Sequence, residues 1–393
     1  MGKFNCNSIQ ALCASFIPAG LLIFLFMMFA MPTSKIANIG FYLFVMLPVL
    51  LSSPLLLKEK VLVSDLLPIG LVIISWVLLS MIQVDIDHWE KVGKEARHAL
   101  YVLVFLTATY YVLLTQKVAV KKLIEYIFWM VVIYSVVSML VYYGWQGRSF
   151  SSRMFPILRL GSPIFVSVII AVYGVSVFYK LLYEGERWKA ILLLGLMLFF
   201  IYFYNARTAL VALCFGVLLV IVTVQIKHKK LLFLLTFIIL AGYILASYYY
   251  GNLLNRGVSY RVDIWLSAFQ KAVDCGVLLG CGLGVDSKIT IADGNVFQHP
   301  HNIYLDQLIK TGILGLLGLL GVIAYVVIRG LKARSCMVWG LIAGLVALVF
   351  DGKDLLTNPD DMWLIFWLPL IIVYWEIKRG SADGVANSEA SAV

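Results

Sequence analysis

The sequence predicts an all-α polytopic membrane protein with about twelve transmembrane helices. Three observations carry that prediction. Hydrophobic residues make up 62% of the 393 residues and charged residues only 13%, whereas a soluble domain is nearer half apolar and about a quarter charged. The apolar residues gather in stretches of the roughly 20 residues that a bilayer crossing needs. Alternate connectors between those stretches are short and basic, the pattern that orients membrane helices. This composition excludes a disordered chain, a secreted disulfide scaffold and a soluble nucleotide-binding enzyme.

In order, the apolar stretches are 12–31, 36–57, 62–82, 99–115, 123–143, 161–183, 190–204, 208–226, 231–250, 303–328, 336–350 and 363–376. The seventh and eighth are separated only by Asn205-Ala206-Arg207, short enough that the two could form one bent segment. The first stretch leads straight into the array and reads as a retained span, not a cleaved signal. With the N-terminus inside, the inner connectors contain Lys58 and Lys60, Lys117 to Lys122, Arg187 and Lys189, Lys227 to Lys230, and Arg329 to Arg334. Both termini are then expected on the inner side. Residues 1–393 read as one integral membrane domain, with 380–393 as a flexible inner tail rich in Gly, Ser, Ala and Asn.

The outer side holds the longer connectors, 83–98, 144–160 and, largest, 251–302. Within the last, Val258 to Asp274 has near-helical apolar spacing and predicts an amphipathic helix that lies on the membrane surface or caps a cavity. Gly280-Cys281-Gly282-Leu283-Gly284 follows as a tight turn that permits close backbone approach. Cys275 and Cys281 could form a disulfide if this loop faces an oxidising compartment, while the other cysteines read as small apolar fillers. The chain has no Walker-type phosphate loop, no HExxH and no CxxC. The net charge of +10 is spread over short turns, so neither nucleic acid nor a nucleotide is an expected partner.

A few residues remain that could carry chemistry. Pro300 enforces an extended approach to the tenth span and Asn302 is suited to cap it, which fixes His301 at the mouth of a membrane helix. His301 reads either as an interfacial polar residue or as a general base. His299 and His301 as metal ligands would need further partners, and none is arranged nearby in the sequence, so no metal is expected. His299, separated from His301 by Pro300, is expected to point to the other side of the chain. Arg207 interrupts an apolar stretch and is either a snorkelling loop residue or an anion clamp. Arg261 is a second candidate clamp, with Arg153 and Arg159 as weaker ones. Asp360 and Asp361 either orient a base, pair with an arginine, or bound a helix.

These residues resemble a family. His301-Asn302, nine residues, then Gly312-Ile313-Leu314-Gly315 is similar to the H-N-x9-G-x-x-G pattern of bacterial O-antigen ligases, within the O-antigen ligase and polymerase superfamily. Asn205-Ala206-Arg207-Thr208 opening a span, Ser259-Tyr260-Arg261 in the large loop and the Gly280–Gly284 turn follow the same order. The resemblance implies a metal-independent, inverting glycosyltransferase of GT-C type in the bacterial inner membrane, without a cofactor, its termini cytoplasmic and its site facing the periplasm. The donor would be O-antigen on undecaprenyl pyrophosphate and the acceptor a sugar hydroxyl of lipid A–core oligosaccharide, met among membrane lipids. Arg207 and Arg261 would hold the pyrophosphate, with Arg159 and Arg153 as further contacts, and His301 would activate the hydroxyl, supported by Asn302, Tyr260 and Asp361. An O-antigen polymerase is the alternative, and a transporter of lipid-linked glycan a more distant one, because ionisable residues cluster at helix ends.

Overall fold

A computed structural model of the chain describes residues 6–83, 89–224, 229–249 and 260–390. In chain order its helices are α1 (Cys6–Ala30), α2 (Ser34–Phe41), α3 (Leu47–Leu56), α4 (Lys60–Gln83), α5 (Trp89–Leu114), α6 (Val120–Met139), α7 (Pro163–Tyr183) and α8 (Arg187–Tyr204). There follow α9 (Arg207–Thr223), α10 (Lys229–Tyr249), α11 (Arg261–Asp274), α12 (Ile303–Lys332), α13 (Met337–Phe350) and α14 (Leu368–Ala390). Wider π turns at Tyr42–Met46, Leu140–Trp145 and Trp363–Trp367 join α2 to α3, extend α6 and lead into α14. A two-stranded hairpin, β1 (Ile289–Thr290) and β2 (Val296–Phe297), pairs antiparallel with Ile289 opposite Phe297.

Helix occupies each of the twelve apolar stretches. Among the described residues, eight helices are long and apolar enough to cross a membrane, while Arg207–Thr223 and Met337–Phe350 are apolar but shorter. The chain is thus an all-α polytopic membrane protein. The seventh and eighth stretches are two helices, because Asn205 adopts the left-handed conformation at φ 48° and ends α8. Three expectations need correction or restriction. The connector 83–98 is largely helix, since α5 starts at Trp89 and carries the i,i+4 pairs Glu90–Lys94 and Lys91–Glu95 in a charged but helix-favouring stretch. The expected tail 380–393 continues α14 to Ala390, through alanines that favour helix and with no proline to stop it. The Lys227 end of the inner turn and residues 251–259, including Val258 and Ser259, lie outside the described residues.

Helix α7 is the axis of the bundle and is buried along nearly its whole length. Pro163 at its first position and the Ser162 side chain accepting from Phe165 N start it. Helices α6, α8, α9 and α13 surround it. A second packed centre lies around Trp363, whose ring is 4.7 Å from that of Phe105 and 5.1 Å from that of Phe41. It joins α5, α2 and the turn into α14.

One feature positions the site. Helix α12 is broken at Gly312, at φ 62° and ψ −168°, a conformation open to glycine alone. In an unbroken helix Ile313 N and Leu314 N would donate to Ile309 O and Lys310 O. Instead Ile313 N donates to Val277 O at 2.8 Å and Leu314 N to Leu278 O at 3.4 Å. The released carbonyls accept from the same loop, Ile309 O from Cys281 N at 2.7 Å and Lys310 O from Gly282 N at 2.9 Å. A Cβ on Gly280 would sit 2.5 Å from Gly312 N, and one on Gly312 would sit 2.4 Å from Leu278 O. The two glycines are what lets backbone lie on backbone. Cys275 and Cys281 form a disulfide that closes this segment, with Cα atoms 4.8 Å apart.

Gly312→Ala is therefore expected to destabilise the protein by at least about 2 kcal/mol through backbone strain and overlap. Gly321→Ala on the same helix, where an added Cβ meets nothing within 4 Å, is expected to leave the melting temperature in detergent unchanged or slightly raised. Equal melting temperatures for the two variants would contradict the role given to Gly312.

Candidate active site

The site is built where the outer loop enters α12. Asn302 caps the helix, its Oδ1 accepting from Tyr304 N at 3.0 Å and Leu305 N at 3.2 Å, which satisfies two of the orphan amides of the first turn. His301 precedes it at φ 51°, left-handed, a conformation that is uncommon for a residue with a Cβ. His299 and His301 lie on the same side, ring centroids 4.1 Å apart, and His299 Nδ1 accepts the His301 backbone N–H at 3.2 Å. The expectation that His299 points away is corrected, since positions two apart in an extended chain share a face. Phe297 meets the His301 ring edge-on at 6.4 Å and Tyr260 lies 6.0 Å from Phe297.

Asp351, the residue that ends α13, comes to the same place from 50 residues on. Its Oδ1 is 3.0 Å from His301 Nδ1, with the aspartate side chain 8% exposed and the imidazole 33% exposed. A carboxylate on Nδ1 holds the ring in the tautomer with its Nε2 lone pair free. Arg261, the first residue of α11, lies within electrostatic reach of both Asp351 and Arg207. Burial lowers the pKa of Arg261 from the ordinary guanidinium range, Asp351 opposes that, and Arg207 adds to it. Arg207 opens α9 directly after the left-handed Asn205. Arg261 thus lies between the charge of Arg207 and that of the carboxylate that pairs with His301.

A buried ionic network lies beneath the site. Lys310 and Asp306, 6% and 2% exposed at their side chains, pair at 3.0 Å one turn apart on α12. Lys310 also pairs with Asp354, whose backbone N–H donates to Asp306 Oδ2 at 3.1 Å. The network ties the segment carrying Asp351 to the helix that follows His301.

The arginines of the 144–160 connector separate. Arg153 Nε donates to Tyr204 O at 2.8 Å, which sets it on the end of α8 beside the Asn205 connector to Arg207. Arg159 is turned inward, 2% exposed at its side chain. It donates to Met28 O at 3.1 Å and Pro359 O at 2.9 Å and lies 3.9 Å from Asp361. Arg159 ties the end of α1 to the 351–361 connector, and its approach to Asp361 matches the expectation that this aspartate pairs with an arginine. A charged residue in a loop gives no sequence sign of whether it turns inward. Asp360 bounds the last helix, accepting from Met362 N at 2.9 Å.

Asp351 is the site residue that sequence reasoning missed. The available signal was a carboxylate closing the eleventh apolar stretch. With it, His299, His301 and Asp351 offer donor atoms within 4.8 Å of one another, which corrects the expectation that the histidines have no third partner. Each histidine has one ring nitrogen already engaged. His299 Nδ1 is taken by a backbone amide and His301 Nδ1 by Asp351. Arg261 and Lys353 add positive charge around the three.

Residues 192–320 match the family profile described as O-Antigen ligase, a span that contains Arg207, Arg261, His301 and the glycine kink. The O-antigen ligase of Pseudomonas aeruginosa is 28% identical over 193 residues, covering 46% of this chain and 46% of that protein. The chain therefore matches less than half the length of this curated relative. Together the two findings support the O-antigen ligase family.

The network and the histidine pair each generate a test. Lys310→Met leaves Asp306 buried without its cation and is expected to destabilise by about 3–5 kcal/mol, while adding Asp306→Leu restores part of that loss in denaturation measurements. His299 is held at a pKa of about 4, below the usual 6.5, chiefly by burial and then by His301, against Asp351 and Asp306. An unfolded chain takes up this proton near pH 6.5 and the folded site only near pH 4. The stability due to neutral His299 is thus complete above pH 6.5 and is lost as pH falls toward 4. NMR of labelled histidine is expected to give His299 a midpoint near pH 4, and His299→Asn to flatten this part of the stability profile. A His299 midpoint at the ordinary imidazole value would refute the burial.

Proposed function

We propose that the chain, which is similar to O-antigen ligases over residues 192–320, transfers O-antigen polysaccharide from undecaprenyl pyrophosphate to a sugar hydroxyl of lipid A–core oligosaccharide. The observation that carries this reading is Arg261, within electrostatic reach of both Arg207 and the Asp351 carboxylate that pairs with His301. His301 Nε2 takes the proton of the acceptor hydroxyl as its oxygen attacks the anomeric carbon. The bond to the pyrophosphate breaks on the opposite face, which inverts the configuration. Asp351 orients the imidazole and stabilises the imidazolium that forms. The charge that develops on the leaving pyrophosphate meets Arg207 and Arg261, with Arg153 as a third contact, so the reaction needs no metal. Tyr260 and Phe297 form an aromatic wall beside the histidine, and Asn302 fixes the helix that carries it.

The protein in this reading spans the bacterial inner membrane about twelve times in a GT-C arrangement, with cytoplasmic termini and a periplasmic site. Helix at every one of the twelve apolar stretches supports this count. The Cys275–Cys281 disulfide supports an oxidising compartment for the loop.

Purified protein supplied with lipid-linked O-antigen and rough lipopolysaccharide is the test. Arg207→Ala or Arg261→Ala is expected to slow ligation about a hundredfold, the loss of about 3 kcal/mol of transition-state stabilisation, with Lys restoring only part. His301→Ala is expected to lose ligation while still binding the donor, and Asp351→Asn to lower kcat at least about tenfold. EDTA is expected to have no effect. Normal ligation by His301→Ala would overturn the mechanism.

A further inference from the structure

Helix α11 carries two apolar stripes, and only one is covered. Ile264, Ala268 and Ala272 are buried and belong to a packed cluster with Leu308 and Ile309 of α12. Turned about 120° from them, at 100° per residue, Val262, Leu266, Phe269 and Val273 recur at i, i+4, i+7 and i+11. They are between 40% and 66% exposed. The sector between the stripes is polar and charged, with Asp263, Gln270 and Asp274.

The uncovered stripe is continuous with the surface of a membrane-spanning helix. Val277 and Leu278 follow α11 directly and are themselves exposed. Their carbonyls accept from Ile313 and Leu314 of α12, whose side chains are also exposed, on the longest apolar helix of the chain. An apolar surface of this extent in water marks an interaction site. A helix with one polar sector and one apolar stripe fits the boundary between headgroups and acyl chains.

We propose that the stripe Val262, Leu266, Phe269 and Val273 is seated in the phospholipid acyl chains of the leaflet on the side of the site, so that α11 lies along the bilayer surface. The occupant is lipid because the stripe extends a surface that already faces lipid on α12. Seated in this way, α11 holds Arg261, its first residue, at the level of lipid phosphates. Membrane contact then sets the height of one of the cations of the site. The inference concerns placement and stands independently of the reaction.

The test is spin-label accessibility in the full chain, reconstituted in nanodiscs of phosphatidylethanolamine and phosphatidylglycerol. The Cys275–Cys281 disulfide is kept and Cys6, Cys13, Cys214 and Cys336 are replaced by Ala. A nitroxide is then attached at Leu266→Cys, Phe269→Cys or Gln270→Cys. Labels at 266 and 269 are expected to be relaxed several-fold more by oxygen, which concentrates in acyl chains, than by a water-soluble nickel chelate. The label at 270 is expected to show the reverse preference. Two results would overturn the proposal. Equal nickel accessibility at 269 and 270 would put the stripe in water, and shielding of 266 and 269 from both reagents would mean that protein covers it.

Discussion

The site depends on an exchange of backbone hydrogen bonds in a place where lipid cannot supply them. A membrane helix broken a third of the way along its length leaves amides and carbonyls that are expensive to leave unpaired in an apolar surrounding. Here the break at Gly312 is matched donor for acceptor by residues 277–282 of the outer loop. The helix and the loop complete each other, and neither conformation is satisfied alone. The first turns of α12 are thereby set apart from the rest of the span as a short rigid segment. That segment bears Asn302 and the Asp306–Lys310 pair, and His301 immediately precedes it.

Several of the charges near helix ends are answered by a partner. Asp65 pairs with Lys378 at 3.0 Å and accepts from Tyr110, while Lys180 pairs with Glu125 and Glu184. The Asp306–Lys310–Asp354 network has the same structural character. Arg207 and Arg261 differ from these pairs, because they share one neighbourhood and each raises the electrostatic energy of the other. Two like charges brought together by a fold suit an anion with more than one negative group. The aspartate within reach of Arg261 also pairs with His301, so one carboxylate links the two.

The sequence was most legible where the physics is local. Lipid demands apolar runs, so the helical stretches were plain. Asn302 capping, the amphipathic helix and the glycine turn each follow from residues close together in the chain. Legibility ended where tertiary structure decides. Asp351 meets His301 across 50 residues, and nothing next to either announces the other. Arg153 and Arg159 look alike in a basic loop, yet one sits beside the Arg207 connector and the other is buried between loops. The charged start of α5 passed for a connector because polarity says exposed and does not say coil.

The backbone exchange at Gly312 also limits how this loop can move or vary. Residues 277–282 cannot swing away as a lid, since four main-chain bonds would open into a medium that offers no replacement. Opening of the site must fall to other segments. It must also leave the chain length between Val277 and Gly282 unchanged, because one added residue would shift every amide off its carbonyl. The hairpin tip at 291–295 is bound by no such register, its contacts being local ones such as Asn295 N to Asp293 at 3.0 Å and Gly294 N to Ile291 O at 2.9 Å. Insertions and altered sequences are accommodated there, so variation in what is recognised can accumulate a few residues from chemistry that stays fixed.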